Sequence, residues 1–102
     1  MEITEININL REEERLKAFA NITFDDVFVV RGLKVIEGNN GLFVCMPSKK
    51  MNDGSYRDIA HPIKNEFRIV LEEKILNAYK EEISKSGWKY INDWQNNKIL
   101  QF

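Results

Sequence analysis

The sequence predicts an α+β domain: a small antiparallel β-sheet of about five strands followed by a long C-terminal α-helix. Two observations carry this. The first two-thirds reads as short strand-like apolar segments separated by turns, and apolar side chains then recur at spacings of three and four from about Asn65 to Lys85. A third observation bounds the answer, because 102 residues with 43% hydrophobic content supply one ordinary core and leave little for a second.

The elements follow in order. Ile6, Ile8 and Leu10 alternate with Asn7 and Asn9, the pattern of a half-buried strand with one wet face. Arg11 to Arg15 is a charged loop. Ala18, Ala20, Ile22 and Phe24 share one face of a second strand, with Lys17, Asn21 and Thr23 on the other. Asp25-Asp26 turns the chain into Val27 to Val30, where Gly32 interrupts a third strand as a bulge before Leu33, Val35 and Ile36 continue it. Gly38-Asn39-Asn40-Gly41 is the clearest hairpin turn. The run Leu42-Phe43-Val44-Cys45-Met46 is apolar on both faces, so the helix covers one side and a second subunit or the C-terminal tail the other. Asn52-Asp53-Gly54 turns into Tyr56 to Ala60, and His61-Pro62 closes the strand region.

Phe67, Leu71, Ile75, Ala78 and Tyr79 form the apolar stripe of the helix, with Asn65 as its N-cap and Gly87 as its stop. The domain therefore spans residues 1–86. Residues 87–102 are an extension rich in aromatic and aliphatic side chains (Trp88, Tyr90, Ile91, Trp94, Ile99, Leu100, Phe102), expected to pack on the domain or on a dimer seam, as a short helix or an added strand.

Function classes narrow by exclusion. A net charge of −1 removes any global signature of nucleic-acid binding, so such a role must rest on a local patch. The first residues lack the basic start and apolar core of a signal peptide, and no stretch is long and apolar enough for a membrane span. The expectation is a cytosolic protein. The single cysteine, Cys45, has no partner for a disulfide and reads as a small buried hydrophobe. His61 is the only histidine, so no zinc cluster is available, and no nucleophile motif accompanies it; no enzyme, metal or cofactor is expected. Glu12, Glu13 and Glu14 read as solvated loop carboxylates, and the Gly38–Gly41 segment lacks phosphate-loop spacing. What remains is a local basic patch: between positions 49 and 68 five cations (Lys49, Lys50, Arg57, Lys64, Arg68) stand against three acids (Asp53, Asp58, Glu66), with Lys49 and Lys50 on a loop.

Longer blocks carry a resemblance. Phe28-Val29-Val30, then Val35 through Lys50 (VIEGNNGLFVCMPSKK), then Asp53 through Ile63 (DGSYRDIAHPI), closely resemble the SpoVG family, the stage V sporulation or septation proteins G, in order over about residues 1–80. The resemblance implies a small bacterial cytoplasmic protein with an antiparallel sheet and C-terminal helix, homodimeric through the sheet. It also implies links to septation, sporulation and gene regulation, and binding of DNA and in some members RNA. Carried onto this chain, the family's basic loop falls on Ser48, Lys49 and Lys50, with Arg57 beyond the turn; Arg68, near the less similar helix start, is expected to join them in binding nucleic acid, and the apolar run Leu42, Phe43, Val44, Cys45 and Met46 is the expected dimer interface. This chain has Lys49-Lys50 where members usually carry Lys-Arg, which keeps the charge and loses a guanidinium able to read guanine bidentately. Met51-Asn52 also replaces a common Thr-Pro, and the segment after Gly87 departs most. The competing expectation is an adaptor that docks a septation or regulatory protein through its sheet edge or its aromatic tail, without touching nucleic acid.

Overall fold

In the computed structural model, residues 1–86 are described. Gly87 and the extension to Phe102, including the expected helix stop and packing of the tail, lie outside them. Four strands form one antiparallel sheet in sequence order: β1 (Ile3–Leu10), β2 (Leu16–Phe24), β3 (Phe28–Gly38) and β4 (Gly41–Cys45). A separate two-stranded ribbon, β5 (Ser48–Lys50) with β6 (Tyr56–Asp58), precedes the helix α1 (Asn65–Ser86). The fold is α+β, with six strands divided between two sheets among the described residues.

β2 shows most plainly why the sheet forms. Ala18, Ala20, Ile22 and Phe24 are buried on one face, as the alternation requires, while the residues between them are half-buried on the other. The turn between β2 and β3 is built by two acids: Asp25 and Asp26 take positive φ (51° and 59°), and Val27 N–H donates to the Phe24 carbonyl at 2.9 Å. Asp tolerates this left-handed geometry, which suits the twist of a hairpin. Thr4 Oγ1 accepts from Asp26 N–H, and Asp25 Oδ1 accepts from Glu2 N–H, fixing the turn to β1.

Gly32 is the bulge that the sequence suggested. Ile22 pairs with Val30 and Ala20 with Leu33, so β3 carries one residue more than β2 across this stretch. Gly32 takes φ 84°, and its N–H donates to Asn21 Oδ1 at 3.2 Å.

The helix lies on the face made by the even residues of β2 and meets β1 and β4. Leu71, Ile75 and Tyr79, four residues apart, are buried against the sheet, and the Phe67 ring sits 6.1 Å from that of Phe24. Burying side chains of this size contributes about 1.5–3 kcal/mol each. Its first intrahelical bond runs from Arg68 N–H to the Lys64 carbonyl, so the N-cap falls on Lys64, one residue before the expected Asn65.

β4 is covered on one face only among the described residues. Within one chain the Leu42–Met46 run is not buried on both faces. Val44 and Met46 enter the core and Leu42 packs against it, whereas Phe43 is 44% exposed on the opposite face. The strand is an edge of the four-stranded sheet, so among the described residues nothing pairs with its outer side.

Candidate nucleic-acid interface

Lys49 and Lys50, expected on a loop, stand on a strand. β5 pairs with β6 in the register Ser48–Asp58, Lys49–Arg57 and Lys50–Tyr56. Every residue of both strands is exposed, so the ribbon owes nothing to hydrophobic burial. Its tip is closed by polar bonds instead. Met51 N–H donates to the Ser55 carbonyl at 2.7 Å, and Gly54 N–H to the Met51 carbonyl at 3.0 Å. Asp53 Oδ1 accepts from both the Ser55 hydroxyl (2.6 Å) and the Ser55 N–H (2.9 Å), an Asx turn. These bonds, the hydroxyl first, hold the Asp53 carboxyl below its ordinary range. At the base, Ile59 N–H donates to the Pro47 carbonyl at 2.7 Å.

The register sorts the cations. Directly paired residues share a face of a ribbon and neighbours alternate, so Lys49 and Arg57 stand together on one face. Lys50 stands on the other with Ser48, Tyr56 and Asp58. Like charges directly opposite each other repel, and among the described residues no carboxylate forms a salt bridge with either Lys49 or Arg57.

The fifth expected contact, Arg68, belongs to another element. It lies in the first turn of the helix with its Nη1 3.8 Å from Glu72 Oε2, an i,i+4 pair, so its charge is already partly met. Sequence reasoning passed over Tyr56, which is 66% exposed opposite Lys50 and offers a flat ring beside a cation. An aromatic residue two places after Gly54, on the return strand of a basic turn, was the available signal.

The remaining candidates stay at the margin. His61 is exposed, and its Nδ1 lies 3.0 Å from the Pro62 carbonyl, to which it donates. Burial pushes the Cys45 thiol up, with Lys34 opposing, which favours the thiol over the thiolate. Among the described residues no helix is long and apolar enough to cross a membrane. Of the five expected interface residues, Leu42, Val44 and Met46 serve the chain's own core, which leaves Phe43, the half-buried Cys45 and the free backbone edge of β4 on the outside.

Comparison with known proteins agrees with the resemblance read from the sequence. The family model SpoVG matches residues 1–81. The chain belongs to the SpoVG family. Among its relatives is a protein of Bdellovibrio bacteriovorus, 52% identical over 87 residues, covering 85% of this chain and 81% of the relative. A protein of Clostridioides difficile is 52% identical over 84 residues (81% and 91% covered), and one of Acholeplasma laidlawii is 51% identical over 94 residues (91% and 100%). All three are described as "Putative septation protein SpoVG". The match spans the whole sheet, the basic ribbon and most of the helix.

Proposed function

We propose that this SpoVG-family chain is a dimeric, non-catalytic nucleic-acid-binding regulator of the septation and sporulation type, cytoplasmic and without cofactor, which grips phosphates with its β5–β6 ribbon. The observation that supports this most is the Lys49–Arg57 pair. Two cations set opposite each other on an exposed ribbon weaken it unless an anion lies between them. A backbone phosphate offsets the repulsion and gains two charge-assisted hydrogen bonds. On the other face Lys50 and Tyr56 present a cation and a ring suited to a neighbouring phosphate and an unstacked base, with Ser48 as a hydroxyl donor. Arg68 serves in this reading by orienting the helix start through Glu72 more than by direct contact.

Dimerisation completes the surface. A net charge of −1 means that one ribbon attracts a polyanion only locally, so doubling the ribbon matters. The seam is the Leu42–Met46 strand: its free edge supplies backbone hydrogen bonds, and Phe43 and Cys45 supply apolar cover.

The test is binding to random duplex DNA and to single-stranded RNA across a salt series. With three ribbon cations from each of two copies, the log–log salt slope is expected near about −5. Lys49→Ala with Arg57→Ala leaves Lys50 alone and brings the slope to about −2, while the melting temperature holds. A salt-independent affinity, or an unchanged one in the double variant, would sink the reading. A folded dimer that binds neither nucleic acid at low salt points instead to the adaptor role, with a septation or regulatory protein as the partner.

A further inference from the structure

Beside the root of the ribbon lies an open groove of about 520 Å³, lined by none of the ribbon's cations. Phe24, Phe28 and Val30 wall it on the sheet side, and Phe67 and Leu71 on the helix side. It is deep, since Ile22 and Leu33, each 1% exposed, contribute to its lining. Its rim is open, with Phe28 64% and Ile63 90% exposed. The size falls within the range of small-molecule sites, roughly 300–1,000 Å³. One turn of a helix with its side chains already takes about 400–600 Å³, so the groove suits a small molecule better than a docked helix.

The lining decides the chemistry. Only His61 and Lys64 bring polar side chains to it, and neither is an acid. The body of a ligand must therefore be hydrocarbon, with no polar group along its length to be left unpaired. The His61 Nδ1 already donates to the Pro62 carbonyl at 3.0 Å, so the ammonium of Lys64 is the charge on offer. Lys64 is exposed at the rim, and among the described residues no carboxylate forms a salt bridge with it. A cation at the edge of an apolar slot complements an amphiphile with an anionic head. Because the rim is wet, neither charge has to be stripped of its water. We propose that this groove binds a free medium-chain fatty acid, its tail lying between Phe24, Phe28 and Phe67 and its carboxylate at Lys64 Nζ. Pro47 and Ala60, which flank the ribbon, also line the groove, so the bound tail touches the ribbon's base.

The test sets two amphiphiles with the same tail and opposite heads against each other. Decanoate and decyltrimethylammonium are titrated calorimetrically into the full chain, both below their micelle concentrations. Decanoate is expected to bind once per chain and roughly fivefold tighter than the cation, the scale of an exposed ion pair. Lys64→Glu is expected to reverse that order with circular dichroism unchanged. Phe28→Ser with Ile63→Ser removes apolar rim without adding charge, and is expected to weaken both amphiphiles alike. Should that pair unfold the chain, Ile63→Ser alone replaces it, because a side chain so exposed bears little on folding. Absence of saturable decanoate binding overturns the proposal. So does equal affinity for the two heads, or an affinity that ignores the rim substitutions. Decanoate binding that weakens as the protein is concentrated assigns the groove to a second copy and overturns it as well. None of these readouts involves nucleic acid, so the assignment stands or falls apart from the ribbon's role.

Discussion

The four-stranded sheet and the β5–β6 ribbon are both antiparallel, yet opposite forces hold them. The sheet buries a row of side chains from each of its inner strands under one helix, with Ala18, Ala20, Val35 and Ile75 wholly removed from solvent. The ribbon buries none and is kept in shape by its own ladder, by the Asx turn and backbone bonds at its tip, and by the Ile59–Pro47 backbone bond at its base. A two-stranded ribbon without an apolar face is marginal on its own, so it depends on the sheet for its anchorage. Stability and the candidate interface are therefore separated along the chain, and the ribbon can carry unpaired charge at little cost to the fold.

That separation can be broken or sharpened by experiment. The largest effect is expected in the core, where Ile75→Ala removes a fully buried side chain and costs about 2–5 kcal/mol in denaturant unfolding. A much smaller loss would mean that the helix is less committed to the sheet than its burial indicates.

Next comes Tyr79, whose phenol is pushed up to about 12 by burial, with a smaller contribution from Glu37. A raised folded-state value means that the native state holds its proton when the unfolded chain releases it. The stabilisation is full below about pH 10 and is lost as pH rises from there to about 12, to the extent of at most roughly 2 kcal/mol because solvent partly screens the hydroxyl. Tyr79→Phe removes this dependence, and the difference between the two unfolding curves isolates it from lysine titration.

The smallest effect belongs to the ribbon. Asp53→Ala is expected to leave the melting temperature unchanged while the Ser55 amide exchanges faster with solvent. Because the Asp53 carboxyl is held below its ordinary range, the same loosening should appear in the parent as pH falls through that depressed value, and be absent above it. A global loss of stability in Asp53→Ala would show that the ribbon belongs to the cooperative core after all.

The same contrast explains what could be read from the sequence. β2 is legible because every second side chain is buried and therefore apolar. The stripe Leu71, Ile75 and Tyr79 is legible for the same reason at the helical period. Ser48-Lys49-Lys50 and Tyr56-Arg57-Asp58 carry no such signal, since both faces of their ribbon are wet and burial imposes no alternation. The cations were visible as a run, but their division between two faces depends on the Lys49–Arg57 register, which composition does not encode. In Leu42 to Met46 the sequence does not separate the two faces. Phe43 and Cys45 are as apolar as their neighbours, yet they point away from the chain's own core.

The bulge at Gly32 acts as a phase correction in the strand. Phe28 and Val30 face inward at even positions, whereas Leu33 and Val35 face inward at odd ones, and both sets reach the same side only because one extra residue is looped out between them. A single deletion between Val30 and Leu33 would thus work like a frameshift written in space. It would force either Phe28 and Val30, or everything from Leu33 through the Gly38–Gly41 turn, onto the wrong side of the sheet.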